Sequence, residues 1–79
     1  MEKILVNGTR TAIKGKITLK KMQDIVEGWI GLVHLPGKKV LVVNEEGFLK
    51  GLPVNATASQ IASQTIVGNV IYATGQEIK

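Results

Sequence analysis

Few residues in this chain could take part in acid–base or metal chemistry. Glu45 and Glu46 are adjacent carboxylates, and His34 is the single side chain whose ordinary pKa lies near neutrality. A metal or general acid–base site needs a third ligand or a nucleophile–base pair within reach. Neither glutamate has a histidine or a third acid beside it in sequence. Neighbouring residues on a turn point apart, so one of the two carboxylates is expected in solvent and the other holding the turn. The chain has no cysteine, which removes thiolate nucleophiles, thiolate metal sites and disulfides. With a single histidine, the usual zinc, haem and Ser-His-Asp arrangements are not expected. The glycines form neither a Walker loop nor a GxGxxG turn. The expectation is a protein with no catalytic residues, no metal and no cofactor.

Binding chemistry is better represented. Trp29 offers a broad ring for stacking, and Gly31 beside it would leave room for something flat. The indole fits two places, the core at a helix–sheet junction or a surface open to a ligand or a subunit. Arg10, the only arginine, and Lys38 and Lys39 could meet phosphates. Asn44 and Asn55 carry amides that both donate and accept, as reading a base or ribose edge requires. These six residues are the candidate ligand-binding set, for a small phosphate-bearing nucleotide held without chemical change. His34 falls by alternation on the face of Ile30 and Leu32 and is expected half-buried and hydrogen-bonded.

Charge agrees in part. Ten Lys and Arg face six Asp and Glu for a net +4, and eight of the ten basic residues lie in the first 39. Such a half would draw anions. Lysine lacks the planar fork that reads bases, so sequence-specific nucleic-acid binding is not expected.

The elements that must position these residues follow from spacing. Residues 1–6 and 11–17 read as strands joined at Asn7-Gly8, a favoured hairpin turn. Thr18 reads as an N-cap, followed by Leu19, Met22, Ile25 and Val26 on one helical face, with Gly28 as the left-handed residue that ends the helix. Residues 29–35, 38–43 and 48–52 read as a three-stranded meander, turning at Pro36-Gly37 and at 44–47, with Pro53 as its stop. The run Val40, Leu41, Val42, Val43 suits a strand covered on both faces. Asn55 caps a second helix to about Ser63, residues 70–73 supply the last strand, and the tail from Gly75 to Lys79 should fray. The fold class is α+β: an antiparallel sheet of about four to five strands with two short helices packed on it, in a single domain over 1–79. A chain of 79 residues buries only about 60–65% of its unfolded surface, so a homo-oligomer is expected. No apolar run approaches a membrane span and the first residues are too polar for a signal peptide, which points to the cytoplasm and away from membranes.

The longer strings carry a resemblance. Leu19-x-x-Met22-Gln23-x-Ile25-Val26-x-Gly28-Trp29-Ile30, Val42-Val43-Asn44-Glu45-Glu46-Gly47-x-Leu49, Leu52-Pro53-x-Asn55-x-x-Ala58 and Ile66-Val67-Gly68-Asn69-Val70 resemble a family of small phage- and mobile-element-encoded domains of unknown function. The match spans roughly residues 17–72. Glu27 stands where the family carries a first glycine, Gly31 where it carries an acid, and Asn69 where it carries Asp. The resemblance implies a phage origin and a host-cytoplasmic location, and no activity. By analogy with small phage proteins of this size, the function expected is anti-defence: sequestration of a nucleotide immune signal, a cyclic oligonucleotide or a cyclic ADP-ribose type, at or near a subunit interface. The alternative is a phage protein-binding inhibitor or adaptor that docks a host protein through a sheet edge or the Trp29 face.

Overall fold

A computed structural model describes residues 1–78. In chain order it holds β1 (Glu2–Ile4), β2 (Arg10–Ala12), α1 (Leu19–Val26), β3 (Ile30–Leu35), β4 (Lys39–Asn44), α2 (Ala56–Ala62), β5 (Val70–Thr74) and α3 (Gly75–Ile78). The strands form one antiparallel sheet in the order β2-β1-β5-β4-β3. This is the α+β class expected. β5 sits at the centre, between the N-terminal hairpin and the β3–β4 hairpin.

The apolar run of β4 explains the layering. Val40, Leu41 and Val42 are all buried, and alternation sends successive side chains to opposite faces. On one face Val42 and its register partner Ile71 pack beneath Met22 and Val26 of α1. On the other, Leu41, Ile4 and Val70 pack with Ala58 of α2 and with Ile66. The two longer helices therefore lie on opposite faces. Ala58 and Ala62 keep α2 slender, so it covers only part of its face, while Tyr72 and Val33 stay half-buried.

Local chemistry sets the helix ends. The Thr18 hydroxyl accepts from the Lys21 amide at 3.1 Å, and the Asn55 carbonyl oxygen Oδ1 accepts from the Ala58 amide at 3.0 Å, each satisfying one free first-turn donor. The left-handed residue after α1 is Glu27 (φ 66°), not Gly28. Gly28 is required for another reason: a Cβ there would come within 2.8 Å of both Asn44 Nδ2 and Lys50 Nζ.

Three expectations are corrected. Residues 48–52 are not a third meander strand. The amides of Lys50, Gly51 and Leu52 bond back to the carbonyls of Glu46, Phe48 and Gly47, which closes residues 45–51 into successive turns and leaves no free ladder. The strand after Asn7-Gly8 runs only over β2; beyond it Ile13 and Ile17 fold onto the α1 face. The tail does not fray over the described residues. Gly75–Ile78 form α3, with the Glu77 carboxylate accepting from the Thr74 amide at 2.8 Å and from the Met1 amino group at 2.8 Å. Lys79 lies outside the described residues. No helix among these residues is long and apolar enough to cross a membrane.

Candidate functional site

The six candidate residues separate into three groups. Asn44 and Asn55 are both buried. Asn44 Nδ2 donates to the carbonyls of Val26 (3.0 Å) and Glu27 (3.2 Å), and its Oδ1 accepts from the Glu46 amide at 2.8 Å. It ties the end of β4 to the last turn of α1. Asn55 Nδ2 donates to the carbonyls of Ile4 (3.0 Å) and Gly68 (2.9 Å) while its Oδ1 caps α2. Each amide fills its donors and acceptor within the chain, so neither faces a ligand. Their work is to clasp elements together.

Trp29 stands at the opening of β3 and is 65% exposed, so the helix–sheet core is not its place. It shares a shallow depression with Asp24, Glu27, Glu46 and Lys50, a mostly acidic setting. Gly31 does not open beside the ring; it lines a separate dip with Phe48 and Val67. Glu45 and Glu46 do not hold their turn with their carboxylates. The turn is held by the Asn44 side chain and by the Gly47 amide donating to the Asn44 carbonyl at 3.1 Å.

The cations lie elsewhere. Arg10 on β2 pairs with Glu2, and that hydrogen-bonded carboxylate holds its guanidinium above the usual arginine range. Lys39 begins β4, with its ammonium 5.9 Å from the Tyr72 ring centroid, within cation–π reach. Lys38 occupies the β3–β4 turn in the left-handed region (φ 59°) beside Gly37. Six residues of β3 at about 3.3 Å each hold Trp29 some 20 Å from that turn. One chain does not bring the indole and the lysines to a common ligand.

A groove of about 630 Å³ opens at the lysine end. Leu32, Val40 and Ile78 give it apolar walls, His34, Lys38 and Lys39 also line it, and none of the described lining residues is a carboxylate. His34 is exposed there, not half-buried. Sequence reasoning missed this groove because α3, which contributes Gln76 and Ile78, lies in the segment expected to fray. Ile78 was the available signal, a bulky apolar residue in an otherwise polar tail.

The arrangement defines a small α+β protein whose antiparallel sheet carries helices on both faces and which has a groove with basic and apolar lining at the β3–β4 turn. The chain belongs to the family described as a domain of unknown function, DUF3846, whose model matches residues 1–78. No curated protein and no solved structure matches it.

Proposed function

We propose that this is a phage-encoded binding protein of the host cytoplasm that sequesters a phosphate-bearing nucleotide signal of antiviral defence, a cyclic oligonucleotide or a cyclic ADP-ribose type, without turning it over. One observation carries the reading: the groove at the β3–β4 turn has Lys38 on its rim, Lys39 bordering it with its ammonium toward Tyr72, apolar walls, and no carboxylate among the described residues that line it. Ammonium groups suit phosphate oxygens, and apolar walls suit the flat face of a base. No group of three His, Asp or Glu that could hold a metal ion occurs among the described residues. Binding is therefore assigned to Lys38, Lys39 and the groove walls, while Asn44 and Asn55 are left to the fold and Arg10 to its pair with Glu2.

Calorimetry against cyclic dinucleotides, cyclic ADP-ribose isomers and linear mononucleotides tests the proposal, with mass spectrometry of the recovered ligand. Saturable binding, an intact recovered ligand and a loss of about tenfold or more for Lys38→Ala with Lys39→Ala are expected, since a hydrogen bond to a charged group contributes roughly 1.5–3 kcal/mol. Absence of binding by the folded protein, or conversion of the ligand, overturns it. The exposed apolar side chains of Phe48 (70%) and Leu49 (88%) in the turns after β4 favour the second reading, an adaptor docking a host protein. A stoichiometric host partner lost in Phe48→Ser with Leu49→Ser, with no nucleotide bound, would establish that reading instead.

A further inference from the structure

The sheet has two edges, and they are built differently. The β2 edge is three residues long, fully exposed and carries Arg10, a short charged edge of the kind that resists pairing. The β3 edge is six residues, Ile-Gly-Leu-Val-His-Leu, with neither proline nor a lysine or carboxylate. The Glu45 amide donates to the Trp29 carbonyl at 2.8 Å, which fixes the phase of the ladder with β4. By the two-residue alternation, Gly31, Val33 and Leu35 turn their backbone groups toward β4, and Ile30, Leu32 and His34 turn theirs outward. No hydrogen bond among the described residues reaches those outward groups. Leu32, midway along the edge, is 45% exposed.

The two ends of this strand carry opposite charge. Beside Trp29 lie Asp24, Glu27 and Glu46 against the single base Lys50. At the other end the described residues lining the groove include His34, Lys38 and Lys39 and no carboxylate. A second copy laid antiparallel along this edge sets the acidic end of each chain against the basic end of the other, twice.

We infer that β3 is a self-pairing edge, and that two copies of this chain join through it about a two-fold axis at Leu32 into one continuous sheet. Residues opposite one another in an antiparallel pair share a face, and the outward groups must meet. The register that engages the most of them sets Leu32 against Leu32, Ile30 against His34 and Gly31 against Val33, with about six hydrogen bonds. The same register brings Trp29 beside Leu35 of the partner subunit and next to its β3–β4 turn. The indole and Lys38, some 20 Å apart in one chain, then line one seam. The pairing rests on the edge alone and does not require the nucleotide reading.

Analytical ultracentrifugation of the full chain, at concentrations up to about 100 μM and at low and high salt, tests it, because weak specific pairing is micromolar. A species of twice the 8.5 kDa chain mass is expected, weakening as salt rises. Leu32→Lys sets two ammonium groups opposite each other on the axis and is expected to give a monomer with an unchanged circular dichroism spectrum. Leu32→Cys, in a chain with no other cysteine, is expected to oxidise to a covalent dimer, because hydrogen-bonded opposite residues lie about 5.5 Å apart at Cα. A monomeric wild type, or a dimer undiminished in Leu32→Lys, overturns the inference, and a dimer whose Leu32→Cys form does not cross-link overturns the register. A dimer that binds no nucleotide leaves the pairing standing and removes the proposed function; a monomer that binds one does the reverse.

Discussion

Asn55 shows how much one side chain can hold. Its amide caps α2 and bonds the carbonyls of Ile4 and Gly68, joining β1, the entry to β5 and a helix at one fully buried point. Asn55→Ala removes a cap worth about 1 kcal/mol and strands two buried carbonyls at roughly 1 kcal/mol or more. A loss of about 2–4 kcal/mol is expected, read as a fall in Tm of roughly 10–20 °C in a domain of this size. Asn55→Asp keeps the cap but turns a carboxylate toward two carbonyl oxygens, and is expected to be the worse of the two. Glu27 offers the opposite experiment. A non-glycine residue in the left-handed region costs about 1 kcal/mol, and its side chain has only a 3.5 Å contact with Asn69 Nδ2 in return. Glu27→Gly is expected to stabilise the fold by up to about 1 kcal/mol in urea denaturation. The cap of Asn55 could be read from residue type, but its hold on two remote carbonyls and the left-handed backbone of Glu27 could not. An asparagine that clasps a remote carbonyl and one that reads a base look alike in sequence, since both use the same donor and acceptor.

At the scale of elements, α3 depends on one carboxylate. The Met1 amino group, then the Thr74 amide, holds Glu77 well below the usual carboxylate range, at about 2. An unfolded glutamate titrates near 4.3. The folded pKa is the lower, so the contribution is fully present above that value and is lost as pH falls through about 2. Amide resonances of residues 74–78 are expected to shift over that acid window in the wild type and to be displaced already at neutral pH in Glu77→Gln. Most other elements were legible because their signals were local: Thr18 and Asn55 as caps, the helical face of Met22 and Val26, the apolar run of β4. Residues 48–52 misled because apolar types suggest a strand, whereas bonds reaching back three to five residues decide the backbone there. Trp29 and Lys38 misled in another way. Nine positions look close in sequence, yet an extended hairpin arm puts them at its opposite ends.

For the whole molecule, the strand order matters more than any one contact. β5 pairs with β1 on one side and β4 on the other, with Lys3 opposite Ile71 and Val42 opposite Ile71 across the same strand. Neither hairpin pairs its strands with the other without it. Until residues 70–74 have left the ribosome, a nascent chain holds two separate ribbons, each with an inner edge that has nothing to bond. Joining them closes a loop of more than sixty residues, a slow step by the entropy of distant contacts. Truncation ahead of Val70 should therefore give no partly stable remnant but a chain that recruits foreign strands, visible as aggregation during synthesis.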